Sequence, residues 1–201
     1  MRNTAVFVSC IPETNIFEPL YPETRQAEIE KCSNEKVQRE KYFVWKLLEA
    51  AIEQVLGERI ENIHFDKRAD GKWVADRFCF SLSHSDRVVA VALSDREVGV
   101  DIEAIRKYRE GLERHILTPV EMAELSEQDG KRAWEYIIMR WTQKESIFKA
   151  GDKRIFEPTS IETAEHNVRT EVLELFDNKY MLSFCAHDAQ SVRVEIYDLS
   201  V

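Results

Sequence analysis

The sequence predicts an α+β fold, in which helices and antiparallel strands occupy separate stretches of the chain. Short runs of β-branched and aromatic residues bounded by turn residues are typical of strands. Two longer segments repeat apolar residues at helical spacing. The predicted order is strand, long helix, three strands, two helices and three strands. The halves before and after 94–98 therefore have a similar content of elements, which suggests a duplicated architecture.

The first half is predicted to begin with a strand at 4–11, followed by a loop that contains three prolines. A long helix is then predicted at 35–56, ending at Gly57, with a turn at Asp70-Gly71 further on. The apolar residues of this helix follow helical spacing, at Phe43, Leu47, Leu48, Ala51, Ile52 and Val55.

Three strands are predicted next, at 77–83, 87–94 and 98–103. Short polar turns at 84–86 and 95–97 separate them. Since short turns join antiparallel neighbours, we expect these strands to form a three-stranded meander.

The second half is predicted to open with a short helix to about residue 127, because Thr118 is a good cap and Pro119 suits the first turn. A longer helix is predicted at 131–150, ending at Gly151. Three strands around a hairpin turn at 177–178 complete the chain, at 168–176, 179–186 and 192–199.

Composition narrows the functional classes. The 201 residues carry a formal net charge of -9, which argues against a protein that binds nucleic acid through a broad basic face. No apolar stretch is long enough to span a membrane. Four cysteines without a short paired spacing are typical of reduced thiols. We therefore expect a soluble cytoplasmic protein that binds neither nucleic acid nor membrane.

Two acidic residues alternate along the third predicted strand. Asp101 and Glu103 are two residues apart, so they point to the same side, about 7 Å apart along the strand, while Val100 and Ile102 face a core. Two carboxylates this close repel unless a cation lies between them. The alternative is the solvated face of a half-buried strand.

Two further motifs carry reactive side chains. Glu145 and Lys149 are four residues apart on the predicted helix and share a face, although a surface ion pair is the alternative. Ser83 and His84 lie at a strand end; neighbours on a strand point oppositely, so they are poorly placed as nucleophile and base. A histidine with hydroxyl neighbours suits phosphate binding, and a turn histidine without function is the alternative.

Taken in order, these motifs resemble the signature of the Sfp-type phosphopantetheinyl transferases. The matching phrases are Ser83-His84-Ser85, Gly99-Val100-Asp101-Ile102-Glu103 and Trp141-Thr142-Gln143-Lys144-Glu145-Ser146 followed by Lys149. The resemblance covers about 35–186. It implies two similar α/β halves with antiparallel sheets, 1–96 and 97–201, related by a pseudo-twofold with coenzyme A between them.

The resemblance also implies roles for the acidic residues. Asp101, Glu103 and Glu145 are expected to hold Mg²⁺ against the coenzyme A diphosphate, a donor set that Mg²⁺ accepts readily. Glu145 is our choice for the base that removes the proton of the attacking serine. Lys149 is expected to offset phosphate charge, with Lys144 assisting.

Further residues are expected to bind coenzyme A. His84 and Ser83 resemble residues that contact its phosphates, and Lys72 resembles the lysine of a Gly-Lys-Pro turn, although Trp73 stands here in place of proline. Arg39 lies about where the family has an arginine for the 3′-phosphate. Arg25 is a second candidate, and a solvated helix face is the alternative for both arginines.

The implied reaction is transfer of 4′-phosphopantetheine from coenzyme A to a serine of an apo acyl or peptidyl carrier protein, with adenosine 3′,5′-bisphosphate as the second product. We expect a monomer to suffice. A Mg²⁺-dependent phosphohydrolase acting on coenzyme A or a nucleotide is one alternative. A non-catalytic relative that binds coenzyme A or a carrier is another. Fatty-acid, polyketide and nonribosomal-peptide carriers all remain open, as does Mn²⁺ in place of Mg²⁺.

Overall fold

The computed structural model describes residues 3–14, 17–107, 110–152 and 155–200. The strands are β1 Ala5–Cys10, β2 Phe65–Lys67, β3 Trp73–Ala75, β4 Cys79–Ser85, β5 Val88–Ser94, β6 Gly99–Ala104, β7 Val168–Leu175, β8 Asn178–Cys185 and β9 Val194–Tyr197. The helices are α1 Glu23–Glu30, α2 Glu35–Leu56, α3 Glu113–Ile116, α4 Pro119–Ser126 and α5 Gly130–Ala150. This content confirms the predicted α+β class.

The strands form two larger sheets and one hairpin. The first sheet has the order β4-β5-β1-β9, the second has the order β6-β8-β7, and β2 pairs with β3. All pairs are antiparallel except β1 with β9, which is parallel. The second half of the chain thus contributes β9 to the sheet of the first half.

The predicted meander of three strands is wrong. β4 and β5 pair as expected, but β6 pairs with β8, from Gly99 opposite Cys185 to Ala104 opposite Tyr180. The turn after β5 therefore carries the chain from the first sheet to the second. β6 lies beside β4 without a backbone ladder, because side-chain hydroxyls of β4 accept hydrogen bonds from its N–H groups.

Two apolar cores hold the layers together. α2 covers one face of the first sheet, and its predicted apolar positions Phe43, Leu47, Leu48, Ala51 and Ile52 are buried there. The second core lies between the two sheets and contains Val100 and Ile102 of β6. β5 contributes alternate residues to both cores, so it is buried on both faces. α5 packs on the outer face of the second sheet.

The main helices begin and end where the sequence predicts. Asn34 caps α2 by accepting a hydrogen bond from the Val37 N–H, and Gly57 ends it with φ of 66°. Thr118 forms a capping box with Glu121 at the start of α4. None of the helices within the described residues has the length and apolar character needed to cross a membrane.

Several local predictions need correction. Residues 84 and 85 of the turn predicted at 84–86 belong to β4, and the chain turns at Asp86-Arg87, where Asp86 has φ of 53°. The second hairpin turns at Phe176-Asp177, one residue earlier than predicted, with positive φ at both residues. α1 and the β2-β3 hairpin were not predicted. α1 buries only two residues and the hairpin strands have three residues each, so neither has a clear apolar period.

Candidate active site

The acidic pair of β6 faces α5, as the alternation of the strand predicts. Asp101 is 4% exposed, and its Oδ1 accepts hydrogen bonds from Lys149 Nζ at 2.6 Å and from Ser83 Oγ at 2.8 Å. Glu103 is half-buried, and its Oε2 accepts a hydrogen bond from Ser85 Oγ at 2.7 Å. β4, β6 and α5 therefore meet at these two carboxylates.

The second oxygen of Asp101 has no protein partner. Its Oδ2 is buried and accepts no hydrogen bond from any described residue. A buried carboxylate oxygen without a partner is costly, so such an atom in a site indicates a ligand that satisfies it. Oδ2 is thus a candidate ligand atom for a cation.

Glu145 lies close enough to Asp101 and Lys149 for their charges to act on it, but within the described residues Asp101, Glu103 and Glu145 do not form the predicted three-carboxylate cluster. Burial raises the pKa of Glu145, the Lys149 ammonium lowers it, and the charge of Asp101 raises it further. Burial likewise raises the pKa of Glu103 against the Ser85 hydrogen bond, and Asp101 again adds to the rise. The charge of Asp101 therefore raises the pKa of both glutamates, and a bound cation would stabilise the charged forms of both.

These donors suit Mg²⁺ in their chemistry. Within the described residues, no three His, Cys, Asp or Glu side chains form a cluster that could hold a metal ion by themselves. Mg²⁺, however, commonly uses one or two carboxylates together with waters and substrate phosphates. Asp101 Oδ2, supplemented by Glu145 or Glu103, meets that requirement when a diphosphate is present.

His84 lies on the face of β4 opposite Ser83, because the strand continues through both residues. Its Nδ1 is 3.2 Å from Oε2 of Glu40 on α2, a buried residue that the sequence analysis does not single out. Despite this carboxylate, burial together with nearby cations lowers the pKa of His84 to about 4, so the imidazole is neutral at pH 7. Burial also raises the pKa of Glu40.

The cations that act on His84 define an electropositive region. They come from α5, α2 and α1, in order of effect Lys149, Lys41, Arg25 and Lys36. Cations gathered around an uncharged imidazole favour an anionic ligand. Lys41 has no role in the sequence analysis, because a lysine on a charged helix start gives no spacing signal.

Lys72 joins the β2-β3 hairpin to the end of α5. Its Nζ donates to the Lys149 carbonyl oxygen at 2.6 Å, and burial lowers its pKa. The hairpin turns at Gly71, which has φ of 89°. A cavity of about 460 Å³ lies between hairpin and helix, with Trp73 and Phe148 among its walls. Lys72, which is predicted to contact coenzyme A, thus lies next to Lys149.

The structure places Lys144, a predicted coenzyme A contact, differently from expectation. Lys144 is 0% exposed, and its ammonium contacts Glu121 Oε2 at 2.6 Å and the carbonyl oxygens of Ile116 and Pro158. One residue turns the helix by about 100°, so Lys144 and Glu145 cannot share a direction. The geometry therefore favours a structural role that fixes α3 and α4 to α5.

Both arginines are engaged within the first half. Arg39 donates to the carbonyl oxygens of Pro12 and Thr14, each at 2.5 Å, and lies over the Phe43 ring. Arg25 is buried against Trp45, where it pairs with Glu28. Neither guanidinium contacts Asp101, Glu103 or Glu145, although the charge of Arg25 lowers the pKa of His84.

Comparison with known proteins shows the family of the chain. A family model described as the 4′-phosphopantetheinyl transferase superfamily matches residues 97–198, about half of the chain. The chain belongs to the 4′-phosphopantetheinyl transferase superfamily. The match contains Asp101, Glu103, Glu145 and Lys149. Ser83, His84, Lys72 and Arg39 precede it.

Individual members of the superfamily are similar over shorter stretches. The 4′-phosphopantetheinyl transferase psf-1 of Bacillus pumilus is 31% identical over 112 residues, which are 54% of this chain and 48% of that protein. The 4′-phosphopantetheinyl transferase gsp of Aneurinibacillus migulanus is 34% identical over 106 residues, 52% of this chain and 45% of that protein. A holo-[acyl-carrier-protein] synthase of Limosilactobacillus reuteri (strain DSM 20016) is 30% identical over 89 residues, 41% of this chain and 67% of that protein. The chain thus matches under half the length of the first two relatives.

Proposed function

We propose that this chain transfers the 4′-phosphopantetheine of coenzyme A to a serine hydroxyl of an apo carrier protein. The serine oxygen would form a bond to the phosphorus that bears pantetheine. The bond from that phosphorus to the bridging oxygen would break, so that adenosine 3′,5′-bisphosphate leaves. The serine proton would pass to a base on the enzyme.

The convergence of β6 and α5 is the observation that carries this proposal. Asp101 offers a buried free oxygen, while its other oxygen holds the Lys149 ammonium at 2.6 Å. A charged pair beside further carboxylates suits the reaction of a diphosphate, where charge must be held on both sides of the breaking bond. The names of the relatives support the same reaction class.

Glu145 is the base in this proposal. Burial raises its pKa, which makes it a stronger acceptor for the serine proton than an exposed glutamate. Lys149 would offset the charge that develops on the phosphate oxygens. Mg²⁺, when held by Asp101 with Glu145 or Glu103, supplies Lewis-acid polarisation of the diphosphate.

Coenzyme A would lie along the junction of the two sheets. The region around His84, with Lys41 and Lys36, suits a phosphate, because neutral imidazole and ammonium groups both donate hydrogen bonds. Ser83 lies near Lys149, with its Oγ 3.4 Å from Nζ. The cavity beside Lys72 and Trp73 offers apolar walls for the nucleotide end.

We also propose the finer features of the family fold for this chain. The halves 1–96 and 97–201 would be related by a pseudo-twofold, with β9 of the second half completing the sheet of the first. The enzyme would act as a monomer. Four free cysteines suit a reducing compartment such as the cytoplasm.

Mass spectrometry of a carrier protein tests the transfer. The chain is incubated with an apo acyl or peptidyl carrier, coenzyme A and Mg²⁺, and carrier mass and nucleotide products are followed. We expect the carrier to gain one phosphopantetheine while adenosine 3′,5′-bisphosphate appears in equal amount. EDTA and a carrier with its acceptor serine changed to alanine should each stop the reaction.

The same assay separates the alternatives. Breakdown of coenzyme A without carrier labelling would assign a phosphohydrolase. Binding of coenzyme A or carrier without either product, across carriers from the three pathways, would assign a non-catalytic member of the superfamily.

A further inference from the structure

Three serines of β4 line its boundary with β6. Ser81, Ser83 and Ser85 alternate along the strand and point to the same side, and each is 4 to 6% exposed. Their Oγ atoms accept hydrogen bonds from N–H groups of β6, at 3.0 Å from Val100, 3.2 Å from Ile102 and 3.2 Å from Ala104. The hydroxyls thus replace the carbonyl oxygens of a normal ladder.

This arrangement fixes the direction of each hydroxyl proton. A serine hydroxyl has one proton to donate and lone pairs to accept with. Since the β6 N–H occupies the acceptor side, the proton is directed elsewhere. Ser83 donates to Asp101 Oδ1 at 2.8 Å and Ser85 donates to Glu103 Oε2 at 2.7 Å.

Ser81 differs from the other two in one respect. It makes the same contact with a β6 N–H, but no carboxylate accepts its proton among the described residues, because Gly99 stands where Asp101 and Glu103 stand for the next two serines. The chain therefore contains its own comparison between a hydroxyl that only joins the sheets and hydroxyls that also hold an acid.

We propose that Ser85 is a positioning residue that holds Glu103 in place for the cation. Ser85 holds Oε2 of Glu103 through a hydroxyl that is itself fixed by the Ala104 N–H of β6, which restricts the rotamers open to the glutamate. Ser83 acts in the same way on Asp101. The inference rests on the proposed function for the identity of the cation as Mg²⁺.

Glutamate needs this support more than aspartate does. Its side chain has an additional rotatable bond, so its carboxylate must lose more freedom to reach a fixed position. Asp101 is also held by Lys149, whereas Ser85 is the only side chain among the described residues with a hydrogen bond to Glu103. Loss of Ser85 should therefore release Glu103 and leave Asp101 in position.

Manganese binding tests this role without turnover. Mn²⁺ affinity is measured by electron paramagnetic resonance for the full chain with coenzyme A present and no carrier, comparing Ser85→Ala with Ser81→Ala. Each variant leaves one β6 N–H unsatisfied, and Ser85→Ala also removes the hydrogen bond to Glu103, so Ser81→Ala controls for the loss of stability that both variants share. We expect Ser85→Ala to weaken Mn²⁺ binding by about 10-fold, as for a lost outer contact of a metal ligand. Ser81→Ala should bind Mn²⁺ as the wild type does.

Rescue and steady-state kinetics complete the test. Ser85→Thr retains the hydroxyl and should restore Mn²⁺ affinity. In the carrier assay, Ser85→Ala should raise the Mg²⁺ concentration needed for half-maximal rate and leave the KM for coenzyme A unchanged. If Ser85→Ala does not fold, Ser85→Cys keeps the size with a weaker donor and should show the same loss of Mn²⁺ affinity.

Equal Mn²⁺ affinity in Ser85→Ala, Ser81→Ala and wild type would overturn the inference, as would an equal loss in both variants. The binding assay contains no carrier, so its result is distinct from that of the transfer assay. The expected Mn²⁺ pattern in a chain that transfers nothing would refute the proposed function and not the role of Ser85.

Discussion

Asp101→Asn is expected to lower the rate of transfer by at least about 10²-fold, in the range found when one electrostatic contact of a transition state is lost. Asparagine has the same shape, and its oxygen can still accept from Ser83 and Lys149. The free Oδ2 becomes an NH₂ group, which cannot bind a cation. The rate is measured with the carrier assay at saturating coenzyme A and Mg²⁺.

Two controls for Asp101→Asn separate an effect on the fold from an effect of the lost charge. Asp66→Asn removes the same charge from an exposed position on β2 and should leave rate and stability unchanged. Urea unfolding should show that Asp101→Asn is folded under the assay conditions, with a lower midpoint because Lys149 loses its charged partner. A variant with full activity at limiting Mg²⁺ would show that Asp101 is not a ligand.

Gly99→Ala is expected to separate the two elements that form the site. A Cβ at Gly99 would lie 1.9 Å from the carbonyl oxygen of Ser146 and 2.6 Å from the Ala150 backbone nitrogen. Both atoms belong to the α5 backbone, so no rotamer change relieves the clash and the helix must move. Overpacking of this kind costs about 1 to 3 kcal/mol of unfolding free energy.

The displacement should also lower activity. Glu145 and Lys149 flank the point of contact on α5, so movement of the helix draws both away from Asp101. A shift of about 1 Å in reacting groups costs about 10²-fold in rate. Urea unfolding and the carrier assay measure the two effects on the same samples.

Gly151→Ala provides the matched control for stability. Gly151 lies at the end of α5, the helix that Gly99 contacts. A methyl group added there has its nearest atoms 3.7 Å away, and φ of Gly151 is -89°. We expect an unfolding free energy within about 0.5 kcal/mol of the wild type. If Gly99→Ala were as stable and as active as wild type, close contact between α5 and β6 would not be needed for the site.

The sequence predicts the long elements of the fold well. α2 has a side-chain cap and an apolar period, α5 ends before Gly151 as predicted, and β6 alternates as predicted, with Val100 and Ile102 in the core and Asp101 on the α5 side. It does not predict that β6 joins the second sheet. Adjacent strands joined by short turns usually pair with each other. The serines of β4, which contact β6 in place of a backbone ladder, are polar like the residues of a turn.

The site is predicted in part, for physical reasons. Asp101 and Glu145 became candidates through the family resemblance, because their spacing alone also fits a solvated strand face and a surface ion pair. Burial of Lys144 by Glu121, 23 residues away, depends on a long-range contact that no spacing reveals. The positions of Glu40 and Lys41 near His84 also depend on long-range contacts, so residue spacing does not predict them. The contact between Ser81, Ser83, Ser85 and β6 was not predicted, although polar residues with a period of two on one strand could have indicated a polar contact surface.

Anomalous diffraction from crystals grown with coenzyme A and Mn²⁺ tests the central claim most directly. We predict one Mn²⁺ peak at about 2.1 Å from both Asp101 Oδ2 and a diphosphate oxygen, with Glu145 or Glu103 bound to the same ion. A Mn²⁺ ion held by phosphate oxygens alone, or by residues away from β6 and α5, would contradict the account.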